Sequence, residues 1–150
     1  MKPSSFAPNK MNNMQYTTHT PHQTEELGAQ LARQLAPGAV VALFGDLGAG
    51  KTAFVRGLAQ GLGMSDDDIT SPTYALVHEH PQLVHFDMYR VTNADDLEST
   101  GWYDYLDGTR VLAIEWSENI ADELPPNAIR VHIAAINNNE RRITIAHPGD

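Results

Sequence analysis

The chain has 150 residues, 41% of them hydrophobic, and a formal charge of −9 at neutral pH. It has no cysteine, which excludes disulfides, thiolate zinc sites and a cysteine nucleophile. No apolar run approaches the ~18 residues that span a bilayer, and the basic surface typical of direct nucleic-acid binding is missing. We therefore expect one globular domain without membrane or direct nucleic-acid contacts.

The N-terminal part of the chain is polar, with scattered Pro and Asn. Residues 1–20 are predicted to be a flexible extension, and residues 21–150 a single nucleotide-binding domain. The first helix is predicted to be capped at Thr24 and to end near Pro37, since leucines recur at helical spacing between them.

Residues 45–52, GDLGAGKT, match the phosphate-binding pattern G-x-x-x-x-G-K-[ST] at every fixed position. The apolar run before them predicts a buried strand, and the apolar spacing after them predicts a helix ending near Gly61. Such a turn directs backbone N–H groups at an anion, and the helix dipole adds partial positive charge. Lys51 is expected to reach the β- and γ-phosphates, and the Thr52 hydroxyl to hold Mg²⁺. The predicted loop contacts to a nucleotide are Asp46, Leu47, Gly48, Ala49, Gly50, Lys51, Thr52 and Ala53.

The rest of the chain predicts a sheet built mostly from short strands. Residues 74–80 and 83–88 are β-rich runs predicted to pair antiparallel, and residues 111–114 predict a central strand covered on both faces. Alternating runs on either side of Asn138 predict a C-terminal hairpin. Short helices are predicted at residues 94–99, 102–106 and 117–124. The predicted fold class is α/β, a three-layer P-loop NTPase fold with a mixed, mostly parallel central sheet and a C-terminal β-hairpin.

Two acids end apolar strands that could lie beside the phosphate loop, namely Asp87 and Glu115. A phosphate loop needs a carboxylate nearby to hold Mg²⁺ or to orient the attacking water. Buried ionisable groups are costly unless they are paired or bound to metal, which favours a functional role here. We predict Lys51, Asp87 and Glu115 as catalytic residues and Thr52 and Glu115 as metal ligands, although spacing leaves open which acid holds the metal.

Several other residues allow two interpretations. Ser71 and Thr73 form either an ordinary turn or a segment that senses the γ-phosphate. Trp116 should alternate away from Glu115, and its pattern alone favours a core position over stacking near a nucleotide. Arg90 could stabilise phosphate charge or pair with an acid, and His85 is interpreted as a structural histidine.

The acidic charge is concentrated in one segment. Ten acids and only two arginines lie between Asp87 and Glu123. Such a segment could be a solvated face that maintains solubility, or part of a surface that contacts a partner protein. A role in RNA chemistry would then depend on a protein partner.

Four motifs in this order, GDLGAGKT at residues 45–52, TSPTY at 70–74, HFDMYR at 85–90 and IEW at 114–116, give a specific pattern. The chain resembles the bacterial TsaE (YjeE) family of small phosphate-loop ATPases over roughly residues 24–133. Family members usually have Glu where this chain has Asp46, and often Pro where it has Ser117. Both differences are mild.

The resemblance implies a cytoplasmic role in installing threonylcarbamoyl on adenosine 37 of tRNA. Such proteins bind and hydrolyse ATP with Mg²⁺ in complex with TsaB and TsaD, and hydrolysis resets the complex while transfer occurs on TsaD. The resemblance also implies that Ser71 and Thr73 are switch-like, that Asp87 and Glu115 organise metal and water, and that Trp116 lies near the nucleotide.

Other nucleotide-dependent functions are less well supported. A small-molecule P-loop kinase commonly has an arginine-bearing lid, and no arginine lies in a lid-like insertion. A GTP-dependent switch typically carries an Asn-Lys-x-Asp motif, whereas the two lysines other than Lys51 lie near the N-terminus. A non-catalytic nucleotide-binding subunit remains an alternative, because a motif does not prove turnover.

Overall fold

The computed structural model describes residues 12–46, 49–65, 69 and 77–148. They form a seven-stranded sheet with helices on both faces. The elements in chain order are β1 (Asn12–Thr18), α1 (Pro21–Ala32), β2 (Val40–Phe44), α2 (Lys51–Gly61), β3 (Val77–Glu79), β4 (Leu83–Asp87), α3 (Ala94–Ser99), α4 (Trp102–Tyr105), β5 (Val111–Glu115), a 3₁₀ segment (Ser117–Glu123), β6 (Ile129–Ala135) and β7 (Arg141–His147).

The strand order across the sheet is β1-β7-β6-β2-β5-β4-β3. The four central strands β6, β2, β5 and β4 are parallel, while β7 and β3 run antiparallel to their neighbours. Since β1 is antiparallel to β7, five of the seven strands share one direction. The predicted mostly parallel sheet and the C-terminal hairpin of β6 and β7 are confirmed.

Each face of the sheet is covered by its own apolar layer. On one face Val41 and Leu43 of β2 face α1 and α2, and on the other Val40 and Ala42 face α3, α4 and the 3₁₀ segment. Strands β2 and β5 are buried on both faces because both are covered, whereas in β6 buried residues alternate with more exposed ones such as His132. The three-layer prediction is confirmed, and it places α2, which follows the phosphate loop, against the centre of the sheet.

Helices α1 and α2 approach each other closely through glycines. A Cβ atom built on Gly28 would collide with the Phe54 carbonyl oxygen, and one on Gly57 would collide with the Glu25 carbonyl oxygen. Glycine is the residue that permits such a backbone contact. This contact holds α2 at a fixed distance from α1 and thereby helps to position the loop at its start.

The structure corrects the predicted N-terminal organisation. Residues 12–18, assigned to a flexible extension, form the edge strand β1, which pairs with β7 along its whole length. Helix α1 begins at Pro21 and not at Thr24: the cap is Thr20, whose side chain accepts a hydrogen bond from the Gln23 amide at 3.1 Å. Thr24 is buried inside the helix. Pro21 in the first helical turn was the local signal for this start, because proline is favoured there.

The other predicted elements agree with the structure to within a few residues, except that α1 ends at Ala32, well before Pro37. The predicted strand over residues 74–80 corresponds to β3, which is antiparallel to β4, and residues 74–76 lie outside the described part of the chain. Within the described residues, no helix is both long enough and apolar enough to cross a bilayer.

Candidate phosphate-binding site

The candidate site lies where three parallel strands end side by side. Strand β2 leads into residues 45–50, and α2 begins at Lys51. Asp87 ends β4 and Glu115 ends β5, and the two residues are paired in register. Because the carboxyl ends of parallel strands meet at one edge, both acids lie beside the loop. Leu47 and Gly48 of the loop, and the candidate residues Ser71 and Thr73, lie outside the described residues.

The Lys51 ammonium is enclosed by the loop and an aromatic ring. The residue is only 5% exposed, and its Nζ donates to the Gly45 carbonyl oxygen at 2.5 Å. The same nitrogen lies 3.9 Å from the centre of the Trp116 ring, a cation–π contact. Burial lowers the pKa of the Lys51 ammonium, while nearby carboxylates, led by Glu118 and then Glu115, act in the opposite direction. A buried cation is thus held at the loop with carboxylates around it.

A partly buried chain of hydrogen bonds connects α2 to β4. The Thr52 hydroxyl lies 3.4 Å from both oxygens of Glu115. Glu115 Oε2 lies 2.6 Å from Nε2 of His85, which is fully buried. A carboxylate can only accept, which requires a His85 tautomer with its proton on Nε2, and His85 Nδ1 has no partner among the described residues. His85 therefore orients Glu115 toward Thr52, a role more specific than the structural one predicted.

Asp87 is half-buried beside Glu115, and its Oδ1 accepts from the Tyr89 amide at 2.9 Å. Burial raises the pKa of the Asp87 carboxyl, the Tyr89 amide opposes this, and the Glu115 carboxylate raises the pKa further. Ionised Asp87 is thus less favourable in the folded protein than in the unfolded chain. This is a typical property of carboxylates that serve a site and not the fold.

Replacing Asp87 by Asn should therefore stabilise the protein at neutral pH. A folded-state pKa above the unfolded value gives stability that is complete below the unfolded pKa and lost as pH rises through the folded pKa. The wild type should lose this contribution between acidic and neutral pH, whereas Asp87→Asn should not. Chemical denaturation at several pH values measures the free energy of unfolding of the two proteins. The same pH dependence in both would contradict a raised pKa of Asp87.

Trp116 lies one residue beyond β5 and has a left-handed backbone with φ of 59°. Strand alternation therefore does not set its direction, contrary to the prediction that it would alternate away from Glu115. Its ring is half-buried between Lys51 and the exposed Tyr89, whose ring centre is 5.0 Å away. The ring borders the loop, and a role in nucleotide binding stays a prediction. Arg90, weighed earlier as a phosphate ligand, is exposed.

Two charged residues that the sequence analysis did not select contact the loop backbone. Glu118 accepts from the Gly45 amide at 2.9 Å, and Arg141 Nε donates to the Ala49 carbonyl oxygen at 3.0 Å. These partners are separated by 73 and 92 positions in the sequence, so no local pattern could have indicated them. An open cleft of about 450 Å³ adjoins this part of the loop. Its lining consists of Phe44, Gly45, Asp46, Ala49, Glu118, His132, Ile133, Ala134 and Ala135.

A family model described as "Threonylcarbamoyl adenosine biosynthesis protein TsaE" matches residues 18–143 of the chain. The chain belongs to the TsaE family. The predicted resemblance is thus confirmed, and the family is one of tRNA threonylcarbamoyladenosine biosynthesis.

Individual TsaE proteins are similar to this chain over most of its length. The tRNA threonylcarbamoyladenosine biosynthesis protein TsaE of Treponema pallidum is 38% identical, over 89% of this chain and 100% of that protein. The protein of the same name from Bacillus subtilis is 34% identical, over 93% of this chain and 89% of its own length. The crystal structure of Bacillus subtilis YdiB is 31% identical, covers 93% of this chain and 88% of YdiB, and superposes with a TM-score of 0.74. These similarities agree with a P-loop NTPase fold for the TsaE family.

Proposed function

We propose that this protein is an ATPase that binds and hydrolyses ATP with Mg²⁺ at the loop of residues 45–52. The observation that supports this most directly is the arrangement of Lys51, Thr52 and Glu115. A buried ammonium lies at the loop, and a carboxylate faces the hydroxyl that follows it. In phosphoryl transfer, positioning and charge stabilisation provide nearly all of the catalysis, and this arrangement supplies both.

The residues at the loop fit a magnesium ion. Mg²⁺ prefers oxygen ligands and is usually bound by one or two carboxylates together with substrate phosphates. The Thr52 hydroxyl and the Glu115 carboxylate, 3.4 Å apart, would hold it. When bound, the ion neutralises charge on the phosphate oxygens. Asp87, which lies beside Glu115 at the end of the neighbouring strand, then serves to orient the attacking water.

To bind the phosphates, Lys51 would give up its hydrogen bond to the Gly45 carbonyl oxygen. Its ammonium now donates to the Gly45 carbonyl, and β- and γ-phosphate oxygens would accept from it in place of that carbonyl. The cation–π contact with Trp116 helps to hold the Lys51 ammonium beside the loop. The backbone amides of Gly50, Lys51, Thr52 and Ala53 at the start of α2 add donors and the positive end of the helix dipole.

We also propose that hydrolysis is slow in the isolated protein and is completed by TsaB and TsaD in the cytoplasm, in support of threonylcarbamoyl transfer to adenosine 37 of tRNA. Arginine often stabilises the transition state of such reactions. In the described part of the chain, Arg141 is bonded to three backbone carbonyls and Arg90 is exposed. In this proposal a partner protein supplies the arginine, and the net charge of −9 is against direct RNA contact.

The steady-state ATPase rate, measured alone and with TsaB and TsaD, tests this function. We expect at least about a tenfold rise with the partners, which corresponds to about 1.4 kcal/mol. Lys51→Ala should abolish the stimulated rate, with a loss of about a hundredfold or more, because it removes the buried cation. Arg33→Ala, which removes an exposed cation at the end of α1, is the matched control and should retain activity.

A rate unchanged by active partners would contradict the partner-dependent function. Transfer of labelled phosphate from ATP to a metabolite, and not to water, would support the alternative of a small-molecule kinase. Binding of ATP without release of phosphate under any condition would indicate a non-catalytic subunit.

A further inference from the structure

Glu118 contacts the start of the phosphate loop from a distant part of the chain. Its Oε2 accepts from the Gly45 amide at 2.9 Å, and the rest of the side chain is exposed. Strand β2 ends at Phe44, so the Gly45 amide lies beyond the ladder of the sheet. Charged acceptors form stronger hydrogen bonds to backbone amides than neutral ones. An exposed carboxylate therefore satisfies the first amide of the loop.

The turn at Gly45 is constrained on its other side as well. Its φ is 152°, and a Cβ atom there would collide with the carbonyl oxygen of Ile133 in β6. The backbone thus passes against β6 on one side and is bonded to Glu118 on the other. Loss of the Glu118 contact would free one side of the point where the chain leaves the sheet and enters the loop.

The segment that carries Glu118 is also attached to the strands of the two acids. The Ser117 hydroxyl donates to the Ile114 carbonyl at 3.0 Å, and the Asn119 side-chain amide donates to the Met88 carbonyl at 2.8 Å. These contacts lie at the ends of β5 and β4, next to Glu115 and Asp87. Glu118 therefore joins the phosphate loop to the part of the sheet that holds both acids.

We propose that Glu118 is a positioning residue for nucleotide binding, whose hydrogen bond to Gly45 holds the loop in register with Asp87 and Glu115. This inference rests on the proposed nucleotide-binding function and adds a residue to it. The carboxylate has two opposing effects. Its hydrogen bond holds the Gly45 amide at the start of the loop, which favours binding, while its negative charge near Lys51 disfavours an anionic ligand.

The two effects can be separated by two substitutions. Glu118→Ala removes the hydrogen bond and the charge, whereas Glu118→Gln keeps an acceptor and removes only the charge. We expect Glu118→Ala to weaken binding of ADP and ATP by about threefold to tenfold, the range of one net hydrogen bond. Glu118→Gln should bind both nucleotides at least about threefold more tightly than Glu118→Ala, because the acceptor is retained.

The measurement is the equilibrium dissociation constant of ADP and of ATP, each with Mg²⁺, by titration calorimetry. Asp122→Ala and Asp122→Asn are matched controls, since they make the same changes at an exposed acid of the same 3₁₀ segment. Both should bind like the wild type. The midpoint of thermal unfolding without nucleotide should be similar for all variants, which separates an effect on the loop from a loss of folding.

The outcomes distinguish this inference from the function on which it rests. Equal affinity of the Glu118→Ala and Glu118→Gln variants, which both lack the charge and differ in the acceptor, would overturn the role of Glu118 and leave the nucleotide-binding function intact. A wild-type protein that binds neither ADP nor ATP would overturn both. Weakening in Asp122→Ala equal to that in Glu118→Ala would show that the contact with Gly45 is not the cause, and would overturn the role of Glu118.

Discussion

Replacing Glu115 by Ala is expected to lower ATP hydrolysis in the presence of partner proteins by at least about a hundredfold, a typical loss for a group that stabilises transition-state charge. The carboxylate faces the Thr52 hydroxyl at 3.4 Å, where Mg²⁺ would be held. Nucleotide binding should persist, because Lys51 and the amides at the start of α2 remain. Single-turnover hydrolysis and ADP binding, measured on the same preparation, separate the two effects.

Glu115→Ala should also destabilise the fold, by about 1–3 kcal/mol. The substitution removes the partner of a histidine whose side chain is fully buried and whose other nitrogen is already unpaired among the described residues. Glu115→Gln is the matched variant, because its amide oxygen can still accept from His85. Glu115→Gln should retain most of the free energy of unfolding, but its ATP hydrolysis should be much slower than that of the wild type. Wild-type hydrolysis in Glu115→Gln would contradict the role of Glu115 as a metal ligand.

The second large effect is expected at Gly57, where α1 and α2 touch. In an ordinary helix, replacing Gly by Ala stabilises a protein by about 1 kcal/mol, since alanine loses less backbone freedom. At Gly57 the sign should reverse, because the new Cβ would overlap the Glu25 carbonyl oxygen. The free energy of unfolding should fall by about 3 kcal/mol, the upper range for overpacking. Urea denaturation of Gly57→Ala and of the wild type measures the difference.

Gln30→Ala is a suitable control for Gly57→Ala, since it introduces the same residue at an exposed position of α1. It should change the free energy of unfolding by no more than about 0.5 kcal/mol. Stabilisation by Gly57→Ala would show that the two helices lie farther apart than described. A loss of nucleotide affinity together with the loss of stability is expected, because Lys51 and Thr52 belong to the first turn of the displaced helix.

The elements and site residues that could be predicted are those indicated by contiguous stretches of sequence. The phosphate loop is a single run of eight residues, and the strands that precede Asp87 and Glu115 are continuous apolar runs. Buried parallel strands produce such runs because both faces are covered. The predicted sheet, the hairpin and the approach of these two acids to Lys51 therefore followed from local patterns.

What could not be predicted depends on contacts between distant segments. Strand β1 is polar at many positions, and it forms because β7 offers a free edge, which no N-terminal pattern reveals. A weak indication of the contact between His85 and Glu115 was present in the sequence. His85 is two residues from Asp87, so both side chains face the same side of β4. No local sequence pattern indicated the contacts of Glu118 and Arg141 with the loop.

The contact between Arg141 and Ala49 has a consequence for folding. The two residues are 92 positions apart, and contacts of such separation form only after a large loop of chain has closed. During synthesis, residues 45–52 leave the ribosome long before β7, which carries Arg141, has been made. The Ala49 carbonyl of the loop therefore gains its Arg141 partner only when the C-terminal hairpin has docked.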